Sequence, residues 1–151
     1  MTPTLRAHIE VKHNNKWLHY AAPIVEPNQI LFAAINGEGL EYLNQTLQDH
    51  IIPQASITEI PENISDITAI CLQQDQERAT LYGQIKGKGV LTSEDIHNLQ
   101  QHLYQLDEKL DLGYYQLFDL EEGVFHTCID ETSISKHNNF KDSRIVFWYY
   151  E

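Results

Sequence analysis

The sequence predicts a single α+β domain, residues 1–151, in which a mostly antiparallel sheet of about four strands packs against helices on one face. Two short alternating segments open the chain, a segment with helical periodicity occupies its middle, and an aromatic, β-branched segment closes it. The length of 151 residues suits one domain, and no repeat, linker or low-complexity stretch divides it.

The opening segments predict a β-hairpin. Alternation over Arg6–Lys12 places every second, apolar residue on one face, and Trp17–Ala21 returns after a turn with two asparagines, which tolerate positive φ. This spacing sets Glu10 opposite His19 and puts Leu18 on the buried face.

Helices are predicted in the middle of the chain. Pro27 and Gly37 bound a short first helix, as expected for residues that begin and end helices. Asn63 can cap a second helix over Ile64–Leu81, and Tyr82–Gly89 follows as a glycine-rich loop.

The clearest helix follows that loop. Thr92 and Asp95 form a pattern like a capping box at its start, and Gly113 ends it. Its apolar residues repeat at helical spacing, and they are Ile96, Leu99, Leu103, Leu106 and Leu110.

Two further strands complete the predicted sheet. Val124–Ile129 alternates, and Arg144–Tyr150 is aromatic and β-branched throughout, which is typical of a central strand covered on both faces. The residues expected in the core are Ile9, Val11, Leu18, Leu99, Leu103, Ile145 and Phe147.

Composition and charge restrict the function. The formal net charge is −12, which disfavours direct binding to nucleic acid because such binding needs lysine and arginine. The longest apolar run, Ile145–Tyr150, is too short to cross a membrane. The N-terminal residues Met1–His8 hold no apolar segment typical of a signal peptide, so we expect a cytoplasmic protein. Cys71 and Cys128 have no metal-site spacing, and the histidines form no i,i+4 pair, so no metal and no cofactor are predicted.

An acidic segment is the first candidate binding site. Asp107–Glu131 holds eight carboxylates against the single cation of Lys109, with aromatic residues among them. Carboxylates beside aromatic residues are typical of a surface that binds a basic protein, although an exposed loop with its aromatic rings in the core would look the same. The expected partner-binding residues are Asp107, Glu108, Asp111, Tyr114, Tyr115, Asp119, Glu121 and Glu122.

The glycine-rich loop is the second candidate. Its glycines would let backbone N–H groups approach a phosphate, and its lysines would add charge, although it matches no P-loop or dinucleotide motif. A flexible loop with solvated lysines is the alternative interpretation. The expected ligand-binding residues are Gly83, Lys86, Gly87, Lys88 and Gly89.

A third candidate is the pair Glu10 and His19, which face each other across the hairpin and could act as a general base. No nucleophile can be placed beside them from the sequence. A cross-strand surface contact would explain the same pair.

Three stretches are together similar to a known group of proteins. They are the HIEVK and KWLHY segments of the hairpin, the LTSEDI segment at Leu91–Ile96, and the closing RIVFW segment at Arg144–Trp148. These motifs resemble small proteins of unknown function encoded by bacteriophages and prophages. The resemblance implies a genomic context and no catalytic residues.

That context ranks the possible functions. Small acidic proteins of mobile elements are often inhibitors of bacterial defence, so we expect a non-enzymatic decoy, like an anti-CRISPR protein, that binds a basic surface of a host protein in the host cytoplasm. A sponge that sequesters a nucleotide signal near the glycine-rich loop is the alternative, and a small enzyme that uses Glu10 and His19 is the third. The aromatic C-terminal strand could also support a homodimer.

Overall fold

The computed structural model describes residues 4–22, 29–82, 85–110 and 142–150. In chain order, the elements are β1 (Thr4–His13), β2 (Lys16–Ala21), α1 (Gln29–Asn36), a 3-10 turn (Leu40–Tyr42), α2 (Gln45–His50), α3 (Asp66–Tyr82), β3 (Ile85–Thr92), α4 (Ser93–Leu110) and β4 (Asp142–Tyr150).

The strands form one antiparallel sheet in the order β2-β1-β4-β3. This confirms the predicted α+β class and the central position of the aromatic strand. The predicted hairpin register is also confirmed, because Glu10 pairs with His19 and the turn residues Asn14 and Asn15 have φ of 52° and 62°. The predicted strand at 124–129 lies outside the described residues.

The fourth strand of the described sheet is β3, which covers most of the predicted glycine-rich loop. The loop prediction was wrong because the glycines serve close packing. A Cβ atom on Gly87 would lie 2.5 Å from Tyr149 Cδ2, and one on Gly89 would lie 2.3 Å from the Ile57 carbonyl oxygen. Glycine in a strand often marks such a close approach.

Helices cover both faces of the sheet, whereas the sequence predicted one covered face. The main core contains Leu5, Ile9 and Ile145 with residues of α1 and α4. On the opposite face, Val146 and Trp148 belong to a second cluster with residues of α3. The amphipathic pattern of α4 indicated the first face correctly. For α3 the sequence suggested Ile67 and Ile70 as inward residues, but they are 53% and 57% exposed, and the helix places Thr68 and Asp75 against the sheet.

The predicted core is confirmed except at one position. Ile9, Val11, Leu99, Leu103, Ile145 and Phe147 are all buried. Leu18 is 38% exposed because β2 is the edge strand of the described sheet, beyond the cover of α1 and α4.

The starts of the two long helices differ in how well the sequence predicted them. At α4 the capping box is confirmed, since the Thr92 N–H donates to Asp95 Oδ2 at 3.1 Å and the Asp95 N–H donates to Thr92 Oγ1 at 3.2 Å. At α3 the cap is Ser65, whose Oγ accepts from the Thr68 N–H at 3.3 Å, and the predicted cap Asn63 binds Arg144 instead.

Candidate functional site

A layer of polar side chains lies between the sheet and α3. Alternate residues of β1 point to the main core, so the residues between them point to α3. We call the resulting set the polar layer, and it consists of Arg6, His8, Glu10, Thr68, Asp75, Arg144 and Trp148.

The deepest part of this layer is an ion pair between Glu10 and Arg144. Arg144 Nε and Nη2 donate to Glu10 Oε1 at 2.9 and 2.8 Å, and Glu10 is fully buried. The other carboxylate oxygen accepts from the Ser65 N–H at 2.7 Å and the Thr68 hydroxyl at 2.8 Å. Burial alone would raise the pKa of Glu10, but these hydrogen bonds outweigh it and hold the pKa below its usual value.

The guanidinium of Arg144 is fixed from a second side. Its Cζ atom lies 4.0 Å from the centroid of the Trp17 ring on β2. Stacking of this kind suits arginine because its planar group is weakly hydrated. Arg144 therefore joins β1, β2 and β4 to the residues that precede α3.

Asp75 anchors the other end of the layer. Its Oδ2 atom accepts from Arg6 Nε at 3.0 Å and from the indole Nε1 of Trp148 at 2.9 Å. One carboxylate of α3 thus satisfies a buried indole and orients an arginine of β1.

Between these two ends lies His8, which is buried. Its ring stacks on Trp148 with 5.0 Å between centroids, and its Nδ1 atom shares a hydrogen bond of 3.1 Å with His19 Nε2. Burial, and secondly the nearby ring of His19, lower the pKa of His8 to about 4. Burial also lowers the pKa of His19. Both imidazoles are therefore neutral at pH 7.

This arrangement does not supply the general base that the sequence suggested. Glu10 and His19 face each other in the predicted register, but the Glu10 carboxylate makes its hydrogen bonds with Arg144, Ser65 and Thr68, and His19 makes its own with His8. A carboxylate that accepts four strong hydrogen bonds is a weak proton acceptor. Glu10 thus joins the sheet to the start of α3 through Ser65 and Thr68.

The predicted phosphate-binding residues fall on one wall of a cleft between α3 and β3. The cleft has a volume of about 600 Å³, and Lys86, Gly87 and Lys88 line it. Lys88 Nζ lies 3.3 Å from Glu59 Oε2. Gly89 packs against Ile57 and the ring of Phe147 instead of lining the cleft, and Gly83 lies outside the described residues.

The predicted partner-binding residues are only partly within the described chain. Asp107 and Glu108 lie in the last turn of α4, where Glu108 is exposed and Asp107 is partly buried. Asp111, Tyr114, Tyr115, Asp119, Glu121 and Glu122 lie outside the described residues.

An exposed aromatic residue that the sequence analysis missed stands beside these carboxylates. Tyr104 is 44% exposed and precedes Glu108 by four residues, which puts both on one side of the helix. Asp107 Oδ1 is buried and has no hydrogen-bond partner among the described residues. We call Tyr104, Asp107 and Glu108 the α4 terminal surface.

Comparisons with protein-family models, curated proteins and solved structures find no match for this chain. Within the described ranges, no helix has the length and apolar character needed to cross a membrane. In the same ranges, no three His, Cys, Asp or Glu side chains come together as a metal-binding group.

Proposed function

We propose that this protein is a non-enzymatic binding protein that engages a basic surface of a host protein, as an inhibitor of bacterial defence encoded by a mobile element would. The observation that carries the proposal is the α4 terminal surface, where an exposed tyrosine stands beside two carboxylates. Tyrosine is enriched in the energetic centres of protein interfaces, and carboxylates steer a basic partner during encounter.

The distribution of charge supports the same proposal. Glu10 and Asp75 are buried and paired, so their charges serve the fold. Exposed carboxylates outnumber exposed cations in the described chain. The carboxylates are Glu41, Asp49, Glu59, Glu62, Asp66, Glu77, Glu94 and Glu108, and the cations are Lys16, Arg78, Lys88 and Lys109. The exposed surface therefore favours a cationic partner.

The test uses binding kinetics with a protein retained from bacterial lysate, measured at low and high salt. Replacing Asp107 with Asn and Glu108 with Gln should slow association and reduce its dependence on salt, because fewer charges attract the partner. Tyr104→Ala should mainly speed dissociation, by about tenfold or more, because an interface anchor is lost.

A matched control lies elsewhere on the molecule. Tyr42 is 77% exposed and follows the exposed carboxylate of Glu41, so Tyr42→Ala and Glu41→Gln remove one tyrosine ring and one carboxylate from another place. These control variants should bind as the wild type does. The proposal is wrong if wild-type association does not respond to salt, or if the control variants weaken binding as much as the α4 variants.

A second candidate function is supported by the cleft between α3 and β3. Its volume of about 600 Å³ is in the range of small-molecule sites, and two lysines of β3 line it, which favours a nucleotide ligand. If a nucleotide binds there, a panel of mononucleotides and cyclic dinucleotides should include one that raises the melting temperature.

The variant Lys86→Glu with Lys88→Glu should abolish that stabilisation and leave the fold intact. The control, Lys16→Glu with Lys109→Glu, changes the charge equally outside the cleft and should retain the effect. If none of these nucleotides stabilises the wild type, the second candidate loses its support.

A further inference from the structure

A smaller cavity opens between the first half of β1 and the middle of α3. Its volume is about 300 Å³, and its polar lining comes from Arg6 and His8 of β1 and from Gln74, Asp75 and Arg78 of α3. Asp75 and Arg78 are three residues apart on the helix, so they lie on the same side of it. This cavity is distinct from the α4 terminal surface and lies at the other end of the polar layer from Glu10.

Arg6 lines this cavity, and among the described residues only Asp75 accepts a hydrogen bond from its side chain. Its Nε atom donates to Asp75 Oδ2 at 3.0 Å, and its Cζ atom lies 5.6 Å from the centroid of the Tyr150 ring. Its Nη1 and Nη2 atoms donate to no described residue, and the side chain is 39% exposed. The guanidinium is therefore oriented in advance, with both terminal amino groups able to bind an incoming acceptor.

Arg78 supplies a second guanidinium. It is exposed, and it forms no ion pair with any described residue. Among the described residues of the lining, Asp75 is the one acidic residue, and its carboxylate already accepts hydrogen bonds from Arg6 and Trp148. With His8 neutral, the described residues of the lining carry a net charge of +1, from Arg6, Arg78 and Asp75, in a protein whose net charge is −12.

We infer that this cavity binds a small molecule through an oxyanion group, a phosphate or a carboxylate, held between the guanidinium groups of Arg6 and Arg78. Arginine recognises both groups with paired N–H donors, and the amide of Gln74 provides a further donor. The walls formed by Ala22 and Cys71 are less polar and accommodate a small organic part. This inference goes beyond the proposed protein-binding function and does not depend on it.

The experiment titrates the protein with inorganic phosphate, and separately with succinate, at constant ionic strength with chloride as the reference. NMR follows the Arg6 Nε–Hε resonance and the ring C–H resonances of His8, because both groups line the cavity. Either oxyanion should shift these resonances with saturation in the millimolar range, and the stronger one identifies the preferred group.

The decisive variant is Arg78→Gln, which changes an exposed residue and so should keep the unfolding midpoint. It should weaken oxyanion binding about tenfold or more, because a charge-assisted contact is lost. Arg78→Lys keeps the charge without the paired N–H donors, so its affinity for the oxyanion should lie between those of the wild type and Arg78→Gln. The matched control is Lys88→Gln, an equal change of charge on the α3–β3 cleft, which should alter binding by less than about twofold.

Three results would overturn the inference. One is the absence of local shifts with both oxyanions at millimolar concentration. Another is equal affinity of Arg78→Gln and the wild type. A third is equal or greater weakening by Lys88→Gln, which would place the bound ion in the cleft between α3 and β3.

Discussion

Replacing Arg144 with Met should lower the free energy of unfolding by about 3–5 kcal/mol, because it leaves a buried carboxylate without its cation. Glu10 is fully buried, and two of its four short hydrogen bonds come from Arg144. The loss also frees the Asn63 side chain and removes the ring contact with Trp17. Chemical denaturation at pH 7 measures the effect.

A double-mutant cycle separates the ion pair from packing. Glu10→Gln in the Arg144→Met background removes the isolated charge, so the double variant should lose less stability than the sum of the two single losses. Lys88→Met provides a surface comparison, because the pair of Lys88 with Glu59 is exposed and its loss should cost less than about 1 kcal/mol. Additive losses at Glu10 and Arg144 would contradict a coupled pair.

The sequence predicted those parts of the fold that depend on local pattern. The hairpin register follows from alternation and from two asparagines that accept positive φ, and the start of α4 follows from the reciprocal bonds of Thr92 and Asp95. Each of these involves residues close together in the chain. The central aromatic strand was also predictable, because a segment apolar on both faces needs cover on both.

The polar layer was not predictable, since it joins residues that are distant in sequence. Glu10 and Arg144 are separated by 134 positions and meet because β1 and β4 are neighbours. The local sequence did not single out Asp75, and only the position of α3 on the sheet places it against Trp148. The glycines of β3 led to the wrong prediction of a loop for a related reason. Their close contacts with Tyr149 and Ile57 involve residues distant in the sequence.

The stability of this protein should fall as the pH is lowered from about 6.5 to about 4, and His8 should account for most of the loss. The folded state keeps His8 neutral down to its pKa of about 4, whereas the unfolded chain binds a proton near pH 6.5. Between these values the unfolded state holds more protons, so the free energy of unfolding falls with falling pH. The full contribution of His8 across this range is roughly 3 kcal/mol.

His19 acts in the same direction because its pKa is also lowered, whereas the lowered pKa of Glu10 adds a loss that begins as the pH approaches the ordinary glutamate pKa of 4.5. Denaturation measured at intervals from pH 8 to about 5.5, which is above the range where glutamate protonates, therefore isolates the histidines. His8→Phe retains a ring against Trp148 and removes the titrating group, so its stability should change much less over this range. His97→Gln replaces an exposed histidine of α4 and should retain the wild-type slope of unfolding free energy against pH.

An equally steep slope in His8→Phe would show that His8 is not the group that couples folding to pH. A histidine NMR titration of the wild type with a midpoint near 6.5 for His8 would lead to the same conclusion.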